Sequence, residues 1–115
     1  MSFAVQGGDT QDQNLLQFFL NMVEFEMNVQ EAAEAANVNS YQMYSSFGTH
    51  SKEAGRIVVR DDTPPWVIKD LRSKGYNVVT RRLTSGPINA IWFDHKNGTM
   101  WGGSSNFGED YGIGW

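Results

Sequence analysis

The chain has 115 residues, 40% of them hydrophobic and 19% charged, and this composition predicts a folded globular protein rather than a disordered one. The net charge of -4 argues against a nucleic-acid-binding protein, because such proteins neutralise phosphates with an excess of basic residues. The absence of cysteine excludes disulfides, thiolate metal ligands and a cysteine nucleophile from this sequence. No apolar run approaches the roughly 18 residues that suggest a membrane span. The cellular compartment is left open.

The N-terminal residues predict a short strand followed by a helix. Residues 2–6 form the strand, which ends at the pair Gly7-Gly8. Thr10 and Gln13 have the spacing of a capping box, which predicts a helix from about Asp12 to Phe25. The apolar residues of this helix cover more than one face, so we expect it to be buried on two sides.

The next segment predicts a second helix and then strands. Asn28 and Glu31 form a second capping box, which is followed by an alanine-rich run of high helix propensity. Residues 40–47 alternate loosely between polar and apolar, as a strand does. Residues 56–60 are a short β-branched strand.

The second half of the chain begins with a clear helix start. Thr63 is the expected N-cap and Pro64 the first helical residue, because proline lacks only an amide that is unpaired there anyway. Gly75 is expected to end this helix, and residues 76–83 to form a strand.

A β-hairpin is predicted after that strand. Residues 84–87 form a turn and residues 88–93 a strand. Asn97-Gly98 supplies the positive-φ positions of a hairpin loop over 94–98, and residues 99–102 return as the partner strand. The sequence therefore predicts an α+β fold, with helices followed by antiparallel strands.

The strongest chemical feature is the pair Gly7-Gly8 between a strand and a helix N-terminus. Two glycines let the backbone approach a ligand closely, and the helix N-terminus favours negative charge. Such amides can form an oxyanion hole for acyl transfer. The alternative from local sequence alone is a plain tight turn, and that interpretation is the more common one.

Other candidates are weaker. Ser2 would be an N-terminal nucleophile if Met1 were removed, but serine after an initiator methionine is commonplace. His50 and His95 lack the spacing of a metal pair, and no cofactor or metal site is expected. The large aromatic residues are interpreted as core and interface rather than as a base-stacking platform. They are Trp66, Trp92, Trp101, Tyr111 and Trp115.

The ordered set of motifs resembles the gamma-glutamyltransferase (gamma-glutamyltranspeptidase) family. Residues 7–13 (GGDTQDQ) resemble the family's Gly-Gly-Asp-x-Gln-Pro-Gln, and residues 25–32 (FEMNVQEA) its Asp-Phe-Gly-Met-x-Pro-Gln-Glu-Ala. Residues 71–78 resemble its Leu-x-x-x-Gly-His-x-Val step, and residues 86–91 its Gly-x-x-Gln-Ala-Ile. Residues 97–105 resemble its closing hairpin.

This resemblance implies an N-terminal nucleophile (Ntn) hydrolase. Residues 1–115 would be the C-terminal part of the small subunit and would build only part of an αββα sandwich. The catalytic threonine would lie upstream, outside this chain. The expected partners are the large subunit and the nucleophile-bearing start of the small subunit, and a homo-oligomer is left open.

The implied activity is cleavage or transfer of gamma-glutamyl or related acyl groups through an acyl-enzyme. The family's glycine pair maps onto Gly7 and Gly8, which would supply the oxyanion-hole amides. The family's Asp-Ala-Pro-Arg is replaced by residues 34–37 (EAAN), which fits a divergent, acylase-like member at least as well. A freestanding, non-catalytic α+β binding or dimerisation domain is the alternative function.

Overall fold

A computed structural model describes residues 1–84, 86–106 and 112. Helices and strands are interspersed along the chain, and a short 3-10 turn at Gly8–Thr10 precedes the first helix. The elements are β1 (Ser2–Val5), α1 (Gln11–Val23), α2 (Val29–Glu34), β2 (Val38–Ser40), β3 (Arg56–Arg60), α3 (Pro65–Ser73), β4 (Asn77–Arg81), β5 (Ile88–Asp94) and β6 (Thr99–Ser104). The α+β class is confirmed.

The strands form two three-stranded sheets. The first sheet has the order β1-β5-β6 and is antiparallel throughout. The second has the order β2-β3-β4, with β2 antiparallel and β4 parallel to β3. The expectation of antiparallel strands is therefore wrong for β3 and β4. Helix α3 connects these strands as a crossover, and such a connection returns the chain in the same direction.

Each sheet has its own hydrophobic cluster. In the first, α1 and α2 pack on the β1-β5-β6 sheet. Its buried residues are Val5, Phe18, Val29, Ala32, Ala33, Ile88 and Ala90. In the second, Ile57, Val59 and Val78 are covered by Ile68 and Leu71 of α3. The first cluster fixes the junction between β1 and α1, where the glycine pair lies.

Local capping was predicted correctly at one helix and incorrectly at another. The Asn28 side chain accepts from the Glu31 amide at 2.9 Å, and the Glu31 carboxylate accepts from the Asn28 amide at 2.9 Å. This capping box is confirmed. The box at Thr10 and Gln13 does not form, because the Thr10 hydroxyl donates to Gly7 O and the Gln13 side chain binds the backbone of Ser40.

Several boundaries differ from the sequence-based expectation. Residues 41–47 form no strand; a loop follows the short strand β2. Helix α3 begins at Pro65 with Pro64 as N-cap, one residue later than expected. Gly75 follows this helix with φ 91°, as predicted for a terminating glycine. The predicted turn at 84–87 includes Ser85, which lies outside the described residues.

Only one of the two apolar faces of α1 is covered. Asn14 and Phe18 are buried, whereas Leu16 is 58% exposed and Phe19 and Val23 are exposed beside it. The expectation of burial on two sides is wrong for the described chain, in which Phe19 only stacks on Phe3 at 6.5 Å between ring centroids and remains exposed. Trp66, Trp92 and Trp101 are exposed in the same way, and Tyr111 and Trp115 lie outside the described residues.

Glutamine side chains cap one edge of each sheet. Gln13 and Gln17, one turn apart on α1, each exchange two hydrogen bonds with the backbone of β2, at Ser40 and Val38. Gln30 of α2 does the same at Ser104 of β6. A primary amide presents a donor and an acceptor side by side, so it pairs with a strand edge as another strand would. Within the described part of the chain, no helix is long and apolar enough to cross a membrane.

Candidate functional site

The glycine pair forms a tight turn that joins β1 to α1. Gly7 has φ 145° and Gly8 has φ 55°, conformations that side-chain-bearing residues rarely adopt. The carbonyl oxygens of this segment are occupied: Gly7 O accepts from the Thr10 amide at 3.2 Å, and Val5 O accepts from the Gln11 side chain at 2.8 Å. These bonds fix the backbone through its acceptors.

The backbone amides of Gly7 and Gly8 differ from these bonded carbonyl oxygens. In the residues that the structure describes, the amides of Gly7 and Gly8 donate no hydrogen bond. Both glycines are solvent-exposed and directly precede the N-terminal end of α1. Two available amides at such an end suit an oxygen that carries negative charge.

A side chain at either position would also come close to a neighbouring side chain. A Cβ atom on Gly7 would lie 2.7 Å from Oγ1 of Thr10, and one on Gly8 would lie 3.0 Å from Cε2 of Phe47. At Gly86, in the loop before β5, a Cβ would lie 2.2 Å from the carbonyl oxygen of Gln6. The turn is therefore packed between two other loops.

One of those loops is anchored to the turn by Asp9. The Asp9 carboxylate accepts from the Ser46 amide at 2.7 Å. This backbone hydrogen bond, with smaller contributions that include the charge of His50, lowers the pKa of Asp9 below its ordinary value. Residues 45–51, called here the 45–51 loop, are closed by a bond from the Ser45 amide to Ser51 O at 2.9 Å.

A groove runs beside the turn, between the start of α1 and the segment 40–56. Two cations line it, and each lies over an aromatic ring. The Lys52 ammonium is 4.6 Å from the Tyr44 ring centroid, and the Arg56 guanidinium is 5.1 Å from that of Tyr41. Arg56 also pairs with Glu53.

Ser2 and the glycine pair do not meet. Ser2 starts β1 and pairs with Ile91, whereas Gly7 follows the other end of this strand. Because a strand rises about 3.3 Å per residue, the two lie more than roughly 10 Å apart. The Ser2 hypothesis therefore gains no oxyanion donor from Gly7 and Gly8 in the same chain. Among the described residues, no three His, Asp or Glu side chains cluster as metal ligands do.

Sequence reasoning found the two glycines but missed their neighbours. Phe47 lies in a segment interpreted as a strand, so its approach to Gly8 was not expected. Gly86 was noted only as part of a turn and a family motif. A Gly-Pro pair signals a turn, but nothing local in a sequence indicates which backbone it packs against.

The family assignment rests on the whole chain. The family model for gamma-glutamyltranspeptidase matches residues 1–115. The chain belongs to the gamma-glutamyltranspeptidase family. No curated protein gives a significant match.

Solved structures agree with this assignment. The chain superposes on a structure of LmbA with a TM-score of 0.90 and 27% identity, covering 98% of this chain and 21% of that one. For gamma-glutamyltranspeptidase from Pseudomonas nitroreducens complexed with L-DON, the TM-score is 0.76 and the identity 19%, over 98% and 54% of the two chains. For cephalosporin acylase from Bacillus halodurans the values are 0.74 and 23%, over 90% and 18%.

These matches show an α+β fold that forms part of each of these larger structures. The chain spans about a fifth of LmbA and of the cephalosporin acylase, and about half of the transpeptidase chain. The resemblance inferred from motif order is therefore confirmed at the level of the family and of this partial fold.

Proposed function

We propose that this chain is the C-terminal segment of an Ntn hydrolase that cleaves or transfers gamma-glutamyl or related acyl groups. Its chemical contribution is the oxyanion hole formed by the amides of Gly7 and Gly8. The observation that carries this proposal is the glycine turn with positive φ, whose carbonyls are bonded while both amides remain available within the described residues.

The proposed reaction uses a threonine on the remaining polypeptide. Its hydroxyl attacks the amide carbonyl while its own α-amine accepts the hydroxyl proton. The carbonyl oxygen becomes an oxyanion, to which the amides of Gly7 and Gly8 donate. Collapse expels the amine as it takes up the proton, and leaves an acyl-enzyme. Water or an acceptor amine then attacks this ester in a second step of the same kind.

Uncovered apolar surface supports the view that more polypeptide packs on this chain. Ile91, Phe93 and Met100 are exposed on the β1-β5-β6 sheet, on the face that points away from the buried Ala90 and Gly103. The second face of α1 is exposed as well. We propose that this sheet face packs against a second sheet, as in an αββα sandwich, and that the segment alone is inactive.

The oxyanion role can be tested without adding a side chain. Replacement of Gly8 by glycolic acid turns its amide into an ester and removes the N–H donor while keeping the backbone shape. In the complete enzyme we expect kcat to fall about 10²–10³-fold with little change in KM, because the donor acts on the transition state. The substrate is a gamma-glutamyl or other acyl p-nitroanilide.

Gly98 provides the matched control. It also has positive φ, at 65°, and lies in the hairpin loop with open space around its Cα. The same ester replacement there is expected to leave kcat unchanged. An unchanged kcat in a folded Gly8 ester enzyme would remove Gly8 from the mechanism.

A non-catalytic dimerisation domain is the second candidate function. Glutamine side chains already occupy the outer edges of β2 and β6, so pairing through a sheet edge would have to use β1 or β4. This candidate predicts a stable dimer of the isolated chain at micromolar concentration. Sedimentation equilibrium distinguishes it from the segment proposal, which requires association with different polypeptide.

A further inference from the structure

The ring of Phe47 lies directly against one of the two glycines of the turn. From the position of a Cβ atom on Gly8, Cε2 of Phe47 is 3.0 Å away, and Cζ and Cδ2 are 3.7 and 3.8 Å away. Yet the Phe47 side chain is 66% exposed, so most of the ring is free to contact something else. The exposed part of the ring lies beside Gly8, one of the two glycines whose amides are available among the described residues.

The 45–51 loop holds this ring in place. Ser46, the residue before Phe47, donates its amide to the Asp9 carboxylate, and Asp9 directly follows Gly8. The Phe47 amide donates to the Ser45 hydroxyl at 3.1 Å, and Phe47 O accepts from the His50 amide at 3.3 Å. The loop and the glycine turn are therefore joined by the hydrogen bond between Ser46 and Asp9, which are the chain neighbours of Phe47 and Gly8.

This placement brings any acyl group at the glycine amides close to the ring. An oxyanion lies about 3 Å from its donor nitrogen, so an acyl group bound at the Gly8 amide lies in the neighbourhood of a ring that packs against the same residue. An aromatic or aliphatic acyl chain would bury apolar surface there, at about 25 cal/mol per Å².

The charge nearest to the turn disfavours a second carboxylate close to the acyl carbonyl. The Asp9 carboxylate, held ionised by its lowered pKa, directly follows Gly8 and repels another carboxylate there.

We propose that Phe47 is a specificity-determining residue, and that it selects acyl groups with an uncharged, apolar chain over the gamma-glutamyl group, whose chain ends in charged groups. This inference rests on the proposed function, because it requires the acyl carbonyl to bind at Gly7 and Gly8. To the proposed function it adds a preferred class of acyl group and one residue outside the glycine turn, Phe47.

The test compares two substrates in the complete enzyme, phenylacetyl-p-nitroanilide and gamma-glutamyl-p-nitroanilide. Phe47→Ala is expected to lower kcat/KM about tenfold for the phenylacetyl substrate and less than twofold for the gamma-glutamyl substrate. Phe47→Leu, which keeps apolar surface, should retain most of the phenylacetyl activity. Phe25→Ala is the control, because Phe25 is equally exposed, at 67%, but lies beyond the other end of α1.

The ratio of the two kcat/KM values is the decisive quantity. A folding defect lowers the active fraction for both substrates and leaves the ratio unchanged, so an unchanged ratio in Phe47→Ala overturns the inference while the proposed function stands. A tenfold change in the ratio, absent in Phe25→Ala, supports it. If the wild-type enzyme hydrolyses neither substrate, the proposed function fails and the inference falls with it.

Discussion

Asp9 is the residue that connects the glycine turn to the rest of the proposed site. Its carboxylate accepts from the Ser46 amide, and this bond positions the loop that carries Phe47. Because the hydrogen bond is made to the ionised form, it lowers the pKa of Asp9 below the ordinary value of 3.8. The interaction is therefore fully present above pH 3.8 and is lost as the pH falls through the lower pKa of the folded protein.

A pH titration of Asp9, followed by NMR at the Ser46 amide, tests this assignment. We expect its NMR chemical shift to follow the protonation of Asp9, with a midpoint below 3.8. Asp9→Asn should abolish the transition, because the asparagine side chain does not titrate. A midpoint at or above 3.8 would show that the carboxylate does not hold the loop.

At the scale of elements, direct backbone contact between β6 and α2 sets the packing of the first sheet. Gly103 is buried, and a Cβ atom there would lie 2.5 Å from Cγ1 and 2.9 Å from the carbonyl oxygen of Val29. Its neighbour Gly102 points to the other face of the sheet, with nothing within 4 Å of its Cβ position. The two glycines form a matched pair on one strand.

Substitution of these glycines by alanine should have opposite outcomes. Gly103→Ala forces α2 away from the sheet, and we expect a loss of about 1–3 kcal/mol in the free energy of unfolding. Gly102→Ala adds a methyl group to open space and should change it by less than about 0.5 kcal/mol. Urea denaturation measures both. Equal effects at the two positions would contradict the tight packing of α2 on β6.

The capping box of α2 gives a second prediction for an element. Asn28→Ala removes the side chain that accepts from the Glu31 amide, so the free energy of unfolding should fall by about 1 kcal/mol. Asn28→Ser keeps an acceptor and should retain most of this stability. The urea midpoint, at an unchanged m-value, is the measurement; identical midpoints for the two variants would show that the cap contributes little.

At the scale of the whole molecule, a partly buried chain of polar side chains joins α1, β2 and the segment before β5. Asn37 donates to Asn14 of α1 and accepts from Thr84, whose carbonyl in turn accepts from Asn39 of β2. Asn14 Nδ2 and Asn39 Oδ1 are buried and have no hydrogen-bond partner among the residues that the structure describes. The radius of gyration is 15.6 Å, compared with about 13 Å for a compact domain of this length. Separate clusters and a broad shape fit a unit that is completed by further polypeptide.

The uncovered face of α1 provides the test at this scale. Leu16→Lys should change the unfolding free energy of the chain by less than about 0.5 kcal/mol, because Leu16 is exposed. The same change should weaken association with the remainder of the proposed enzyme, measured by calorimetry. Phe18→Ala, on the buried face, should instead cost about 3–5 kcal/mol of folding stability. Unchanged association of Leu16→Lys would show that this face has another role.

Local chemistry explains which features were predictable. The Asn28 box, the end of α3 at Gly75, the hairpin with Gly98, the strand at 56–60 and the strand that begins at residue 88 each depend on a few neighbouring residues. The failures involve competition from distant groups. Gln13 has the spacing of a capping residue, but β2 offers its side chain two backbone partners.

The sequence by itself determined the α+β class, the family through the order of its motifs, and the glycine pair as the chemical candidate. Only the tertiary structure decided that β4 runs parallel to β3, that glutamines close two sheet edges, and that Phe47 and Gly86 lie against the turn. The physical reason is the separation along the sequence over which each interaction acts. Propensity and capping act over about four residues, whereas strand partners and loop contacts depend on where the chain brings distant residues together.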